Sequence, residues 1–485
     1  MSADATARKR SFRFRTRRGS EAEDGFDRKL LAPLISGAVL NPINSTIIAV
    51  ALVPIGLSLG APASATAWLI SSLYLATAVG QPVVGRLIDM YGPRRLFLPA
   101  TALVGVAGVI GTLAPNLTVL IIARVILGFG TCAGYPAAMR LIQDESDRTG
   151  RDSPTKVLTI LAISTQTISV IGPSMGGLLI GLGGWRVTFA INIPIALFAF
   201  VLGARRLPKP SEPTPEARRT PHRRAGVRDL DLLGIGLFAA TLVALLLFLI
   251  QPHVGHWYLA VITVAAAAAF AGRELSHTQP FLDLRILGDN VALLVTYGRA
   301  LPAYIVSYSF MYGFTQWLEA GRGLSPSQAG LVTLPVFATG IVVSIISGRR
   351  EQVRAKLVVA AAGQIIGCLL LLALQPSTPW WLLIAIALVF GIPQGLNSLA
   401  LQNAVYRQAP AEDIGASAGL LRTFGYLGAI ISSAAQATFF HPAADTNGMH
   451  HLALLLVGVS VAFLLITVFD RSLSDNRPDR KDRHG

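Results

Sequence analysis

From residue 30 almost to its C-terminus, the chain is a succession of apolar stretches, each about twenty residues long, parted by short polar breaks. A helix rising ~1.5 Å per residue needs about 20 residues to cross roughly 30 Å of hydrocarbon, and this match of lengths constrains the fold more than any other feature. Hydrocarbon offers the backbone no hydrogen-bond partners, so a crossing must be a helix or a strand of a closed barrel. The stretches lack the period-two alternation of barrel strands. The sequence therefore predicts an all-α polytopic membrane protein. Fourteen crossings are expected, near 30–56, 66–85, 95–115, 117–139, 156–182, 186–204, 232–252, 256–272, 290–317, 325–347, 356–374, 379–405, 414–439 and 449–469. Charged residues make up 14% of the 485 positions, against about a quarter in soluble domains. No room is left for a separate soluble catalytic domain.

The polar breaks differ in charge. Of the 41 Lys and Arg, nearly all fall in the termini and in the loops around 86–95, 140–156, 205–228, 273–285, 349–356 and 407. The opposite loops hold only Arg186 and Arg322, while Arg124, Arg299 and Arg422 fall inside expected spans. Basic loops stay cytoplasmic, so both termini are expected on the cytoplasmic side of a bacterial inner membrane, as an even number of crossings requires. Residues 1–29 read as a disordered basic cytoplasmic tail and 30–204 as a six-helix bundle. A Pro- and Arg-rich cytoplasmic linker follows at 205–231, then an inserted transmembrane hairpin at 232–272. A cytoplasmic loop at 273–289, a second six-helix bundle at 290–470 and a cytoplasmic tail at 471–485 complete the chain.

The first twenty residues are rich in Arg but lack the apolar core and small-residue cleavage site of a secretory signal. The net charge of +15 points to topology and to anionic lipid rather than to nucleic acid. Cys132 and Cys368 lie in separate apolar stretches and read as packing residues, with no metal-ligand spacing around either. No cofactor or metal is expected. No nucleophile paired with a base and no nucleotide loop is evident, so the chain does not read as an enzyme.

Three stretches carry more specific information. The first is GQPVVGRLIDMYGPRR, which ends a run free of charge since Lys29 and places Asp89 among arginines. Gly85 and Gly92 permit close helix approach and a tight turn, and Asp89 at the membrane edge can meet arginines or the positive end of a helix. The second, IIARVILGFGTCAGYPAAMR, puts Arg124 inside an apolar helix, at about 2.5–3.5 kcal/mol on insertion scales. The third, SVIGPSMGGLLIG, sets Gly172 and Gly176 on one helix face, where a neighbouring helix can approach. Pro173 also removes a backbone hydrogen bond there.

Together these stretches resemble the signature motifs of the major facilitator superfamily. GWRVTFAINIPIA, QWLEAGRGLSPSQAGLVTLP and DIGASAGLLRTFGYLGA look like its fourteen-spanner drug:proton antiporter branch, and the resemblance covers roughly residues 30–470. It implies a fold of two six-helix bundles plus an inserted hairpin. It also implies a cytoplasmic gate of Gly85, Asp89, Gly92, Arg94, Arg95 and Arg140, with Asp89 facing the helix that begins near Ile414. Arg124 is implied in proton coupling or substrate binding. Gly172, Pro173, Gly176 and Gly177 match the antiporter motif, which is associated with export in exchange for protons.

The first helix departs from the branch: Asn44 stands where an acidic residue is usual, two positions before Thr46. No Asp or Glu lies deep in any expected span, since Asp89 is at the inner edge and Glu319 at the outer. The cavity is thereby tilted toward neutral or anionic cargo, and Arg124, Asp89 and Glu319 are the candidates for proton coupling. Polar or charged candidates for the cavity are Asn41, Asn44, Thr46, Gln166, Tyr297, Arg299, Gln316, Gln394 and Asn397. The expected activity is proton-coupled efflux of a hydrophobic or amphiphilic small molecule, such as an antibiotic or secondary metabolite. The alternatives are a carrier for a specific neutral or anionic metabolite and a membrane sensor that no longer transports.

Overall fold

The computed structural model describes residues 27–149, 155–208, 231–250, 254–277, 284–285, 290–348, 352–409 and 414–470. Most of the expected tails, linker and loop at 273–289 lie outside these residues. The described chain is helical, with no strand among the described residues. The first bundle contains α1 (Leu31–Val50), α2 (Ala63–Tyr91), α3 (Pro93–Leu113), α4 (Leu117–Ile142), α5 (Thr155–Gly183) and α6 (Val187–Arg206). The hairpin is α7 (Leu232–Ile250) and α8 (Trp257–Ser276). The second bundle contains α9 (Val291–Ala320), α10 (Pro326–Gly348), α11 (Val353–Leu371), α12 (Trp380–Gln408), α13 (Ile414–Phe439) and α14 (Thr446–Phe469).

Local sequence sets the breaks. Gly92, at φ +86°, turns the chain between α2 and Pro93, the first residue of α3. A positive φ favours glycine, and proline suits the first helical turn. Asn116 and Asn290 accept hydrogen bonds from the Val119 and Leu293 amides, capping α4 and α9.

Among the described residues, twelve helices have a stretch long and apolar enough to cross a membrane, two fewer than the fourteen crossings expected. The two expected spans without such a stretch are α13 and α5, of which only Thr167–Gly183 counts as a shorter apolar helix. The reason lies in their composition. Helix α5 carries Thr165, Gln166, Thr167 and Ser169, and α13 carries Ser417, Arg422, Thr423, Ser432, Ser433 and Gln436. Both pack across the middle of the molecule, where polar groups find partners.

The two bundles meet along two seams, α5 against α10 and α2 against α13. The α7–α8 hairpin lies on the second seam, where Phe238, Leu242, Leu246 and Phe270 join a core that includes Leu69, Tyr74 and Ala429. Large apolar side chains such as Leu178, Phe198, Val264 and Ile345 remain exposed on the outside of the molecule. Surfaces of this kind belong against lipid.

At one end of the hairpin, the buried Asp231 accepts from the Gly234 amide at 2.9 Å and from Arg273 Nε at 3.2 Å. Burial alone pushes its carboxyl up, but the Gly234 amide, the Arg273 guanidinium and His277 hold it below the usual aspartate range. A carboxyl lowered in this way stabilises the fold above its unfolded value and loses that contribution as pH falls through the folded one. Asp231→Asn is therefore expected to lower the melting temperature by a few degrees at pH 7. The difference from wild type should shrink below about pH 4, as melts in detergent at the two pH values will show.

Candidate functional site

Two adjoining chambers lie between the bundles. One, of about 190 Å³, is lined by Asn41, Thr46, Tyr74, Tyr304, Tyr308 and Gln394 among others. The second, of about 330 Å³, is lined by Gln81, Tyr135, Gln402, Arg422 and Tyr426 among others, and shares Asn41, Pro42 and Ser169 with the first. It is built from the end of α2, the start of α5, the end of α12 and the start of α13, so it lies toward the basic loops. Neither chamber is lined by a carboxylate among the described residues.

The opposite end is shut by small residues. Ser327 Oγ donates to the Gly177 carbonyl at 2.7 Å, and Ser174 Oγ donates to the Gly330 carbonyl at 3.1 Å. Ser71 and Ser433 share a hydrogen bond between the bundles, and the Ala63 amide donates to the Pro442 carbonyl at 3.2 Å. A Cβ at Gly177 would lie 2.5 Å from the Pro326 oxygen and 2.6 Å from Ser327 Cα. Gly172 and Gly176 face the other way: a Cβ at Gly172 would meet Thr46, and one at Gly176 would lie 2.7 Å from Val50 Cγ2. The motif of Gly172, Pro173, Gly176 and Gly177 thus packs α5 on α1 and on α10 together.

Behind the first chamber, Arg124 is 1% exposed. Its Nε donates to the Leu69 carbonyl at 2.8 Å and its Nη1 to the Asn44 carbonyl at 3.2 Å, while Nη2 has no partner. Asn44 donates to Asn192 Oδ1 at 2.7 Å and to the Leu40 carbonyl at 2.8 Å. The arginine therefore ties α1, α2 and α4 together, and Asn44 adds α6. Tyr312 donates to the Ser45 carbonyl at 2.9 Å and stands 2.9 Å from the Tyr74 hydroxyl, linking the second bundle to the first. It lies in a π-helical turn at Phe310–Phe314, a local widening frequent at functional sites.

Other expected residues are dispersed. Asn41, Thr46 and Gln394 do line the first chamber. Asn41 Nδ2 also donates to Thr131 Oγ1 at 3.2 Å. Gln316 is buried beyond that chamber and donates to Gln436 Oε1 at 2.7 Å. Asn397 is buried with neither amide atom partnered. Tyr297 and Arg299 stand outside both chambers. Tyr297 donates to the Ser417 carbonyl at 2.8 Å, and Arg299 pairs with Asp470 at 3.1 Å and donates to Thr296 at 2.7 Å. Arg299 is thus a structural clamp joining α9 to the end of α14. Removing one member of a buried pair costs about 3–5 kcal/mol. Arg299→Gln is accordingly expected to cut the yield of folded protein several-fold, read as the monodisperse fraction on gel filtration in detergent.

The expected gate is only partly visible, because the side chains of Asp89 and Gln166 lie outside those described. A Cβ at Gly85 would stand 3.9 Å from Pro136. Arg94 donates to the Ala204 carbonyl at 2.7 Å and the Leu207 carbonyl at 2.6 Å, capping α6 inside its own bundle. Arg95 is exposed, and Arg140 pairs with Asp144 one helical turn on, at 2.9 Å. Glu319 is buried near the shut end with neither oxygen partnered.

The tyrosines are what the sequence reading missed. Tyr304, Tyr308 and Tyr312 form a stacked ladder along α9, with neighbouring ring centroids 6.3 and 6.1 Å apart, and Tyr74 stands edge-on to Tyr308 at 5.2 Å. Their spacing of four in YIVSYSFMY was the available signal.

Comparison with known proteins agrees with this architecture. The family model described as Major Facilitator Superfamily matches residues 34–433. The MFS-type transporter YwoD of Bacillus subtilis strain 168 is 31% identical over 449 residues, covering 90% of this chain and 96% of the relative. A methylenomycin A resistance protein of Streptomyces coelicolor is 26% identical over 451 residues, covering 90% of each. The crystal structure of the nucleoside transporter NupG superposes with a TM-score of 0.58 at 12% identity, covering 91% of this chain and 99% of that one, and so shares the fold. A cavity between two helix bundles and a family match over most of the chain make this a multi-pass membrane transporter of small molecules and not an enzyme: the chain belongs to the Major Facilitator Superfamily.

Proposed function

We propose that the chain is a proton-coupled exporter of hydrophobic or amphiphilic small molecules. It sits in the bacterial inner membrane with fourteen crossings and cytoplasmic termini, within the drug:proton antiporter branch. The observation that carries this reading is the cavity between the bundles, shut by Gly177, Ser327 and Gly330 at one end and extending toward the basic loops at the other. A molecule entering from the cytoplasm would meet aromatic walls with a few hydrogen-bonding groups, the usual make-up of a pocket for amphiphiles. Rocking of the bundles about the cavity would open the far seal. Resistance named in the methylenomycin A relative supports the outward direction.

In this reading Asn41, Thr46 and Gln394 touch cargo, and Asp89 with Gly85, Gly92, Arg94, Arg95 and Arg140 latches the cytoplasmic end. Arg124, Asp89 and Glu319 take part in proton coupling. Glu319 suits that task because its carboxyl is enclosed without a donor or a cation, so its charge state is sensitive to each change in surroundings. The test uses purified protein in liposomes with an imposed pH gradient and a panel of cationic, neutral and anionic compounds. Movement of at least one compound against its gradient, abolished by a protonophore, is expected. Movement indifferent to the pH gradient, or none at all, contradicts the reading.

A further inference from the structure

Three arginines lie at membrane depth, and two of them are committed. Arg124 is held by backbone carbonyls and Arg299 by Asp470. Arg422 has no carboxylate partner among the described residues. Its guanidinium carbon stands 3.4 Å from the ring centroid of Tyr135, so α13 of one bundle meets α4 of the other across the larger chamber. Gln81, Gln402 and Tyr426 line the same chamber, with Tyr426 donating to Gln81 at 2.5 Å.

Resting on the transport reading above, we infer that the cargo is an amphiphilic organic anion whose carboxylate docks on Arg422. A guanidinium stacked face-on to a ring keeps its N–H edges for a planar oxyanion, and Arg binds carboxylates in two-point fashion. A cation at membrane depth without a counter-charge is costly, and an anionic cargo supplies that charge. The chambers contain no acidic lining residue that would compete for Arg422 or attract a cationic cargo. Beyond the arginine, Tyr304, Tyr308, Phe337 and Phe390 line the adjoining chamber and provide the apolar wall for an aromatic or alicyclic body. The cytoplasm-side chamber thus recognises the charge, and the inner one the bulk.

Matched probes separate the terms: 2-naphthoate, 2-naphthamide and 2-naphthyltrimethylammonium, titrated calorimetrically onto the full chain in lipid nanodiscs. Wild type is expected to bind naphthoate at least ten times more tightly than the ammonium probe. Arg422→Gln should weaken naphthoate at least tenfold and leave naphthamide within about threefold, while Arg422→Lys should retain most of the preference. Equal or tighter binding of the ammonium probe by wild type overturns the inference, as does naphthoate binding unchanged in Arg422→Gln or binding of none of the three. Should Arg422→Gln fail to fold, the charge preference of wild type decides alone. Proton-driven efflux of cationic compounds only would sink this inference and leave the export reading standing. Absence of any proton-driven movement would sink that reading instead.

Discussion

Gly177→Leu is expected to reduce transport at least 100-fold while leaving the protein inserted and folded. The position faces backbone, not a flexible side chain: the added Cβ would lie 2.5 Å from the Pro326 oxygen and 2.6 Å from Ser327 Cα. Neither can yield without moving α10 as a whole. Overpacking of this kind costs about 1–3 kcal/mol or more, and each 1.4 kcal/mol is roughly a tenfold change in population. The strain exists only when the far seal is closed, so the substitution disfavours that posture and spares the open one. The expected signature is loss of proton-driven efflux with an increase in labelling, from outside, of a cysteine placed at Ser327. Gly176→Leu makes a contrasting control, because that position faces Val50 and Ile47 within the same bundle. Its expected effect is a lower folded yield. Full activity in Gly177→Leu would show that this contact is not the seal.

Arg124→Ala is the second large effect. It leaves the Leu69 and Asn44 carbonyls without their donor in a place water does not reach. Each orphaned buried group costs about 1–3 kcal/mol, which puts the loss of proton-driven efflux at 100-fold or beyond. Structure and coupling are told apart by running counterflow, in which labelled cargo exchanges with unlabelled cargo and no proton gradient is imposed. A coupling role predicts that Arg124→Ala loses gradient-driven efflux and keeps measurable counterflow, and the same split is expected for Asp89→Asn. Loss of both activities in Arg124→Ala would assign the arginine to architecture. Full efflux in both variants would refute the roles proposed for them.

The helices were legible because hydrocarbon leaves the backbone no alternative, and the length of each apolar run carries that fact directly. The hairpin at 232–272 was legible for the same reason, although its seat on the α2–α13 seam was not. Sequence spacing marked Gly172, Pro173, Gly176 and Gly177 as packing positions, yet it could not show that Gly172 and Gly176 serve α1 while Gly177 serves α10. Such partners are set by which helices meet in space. Arg299 illustrates the limit most plainly. An arginine in an apolar run reads as a cavity residue until its partner Asp470, 171 positions away in the chain, is seen beside it. Arg94 likewise reads as part of a gate and is found capping α6 in its own bundle. Composition was also why α5 and α13 fell short of an apolar crossing. Their polar residues belong to the centre of the molecule, where helices exchange hydrogen bonds instead of facing lipid.

The central claim is that two bundles tilt about the cavity so that its ends close in alternation. The most direct test is a pair of electron spin distance measurements in nanodiscs, on protein with Cys132 and Cys368 replaced. One pair of labels at Leu178 and Leu331 reports the shut end, and another at Arg95 and Gln352 reports the basic-loop end; all four positions are exposed. On shifting pH or adding cargo, the account predicts that one distance lengthens as the other shortens. Two distances that stay fixed under every condition, or that change in the same sense, would contradict it.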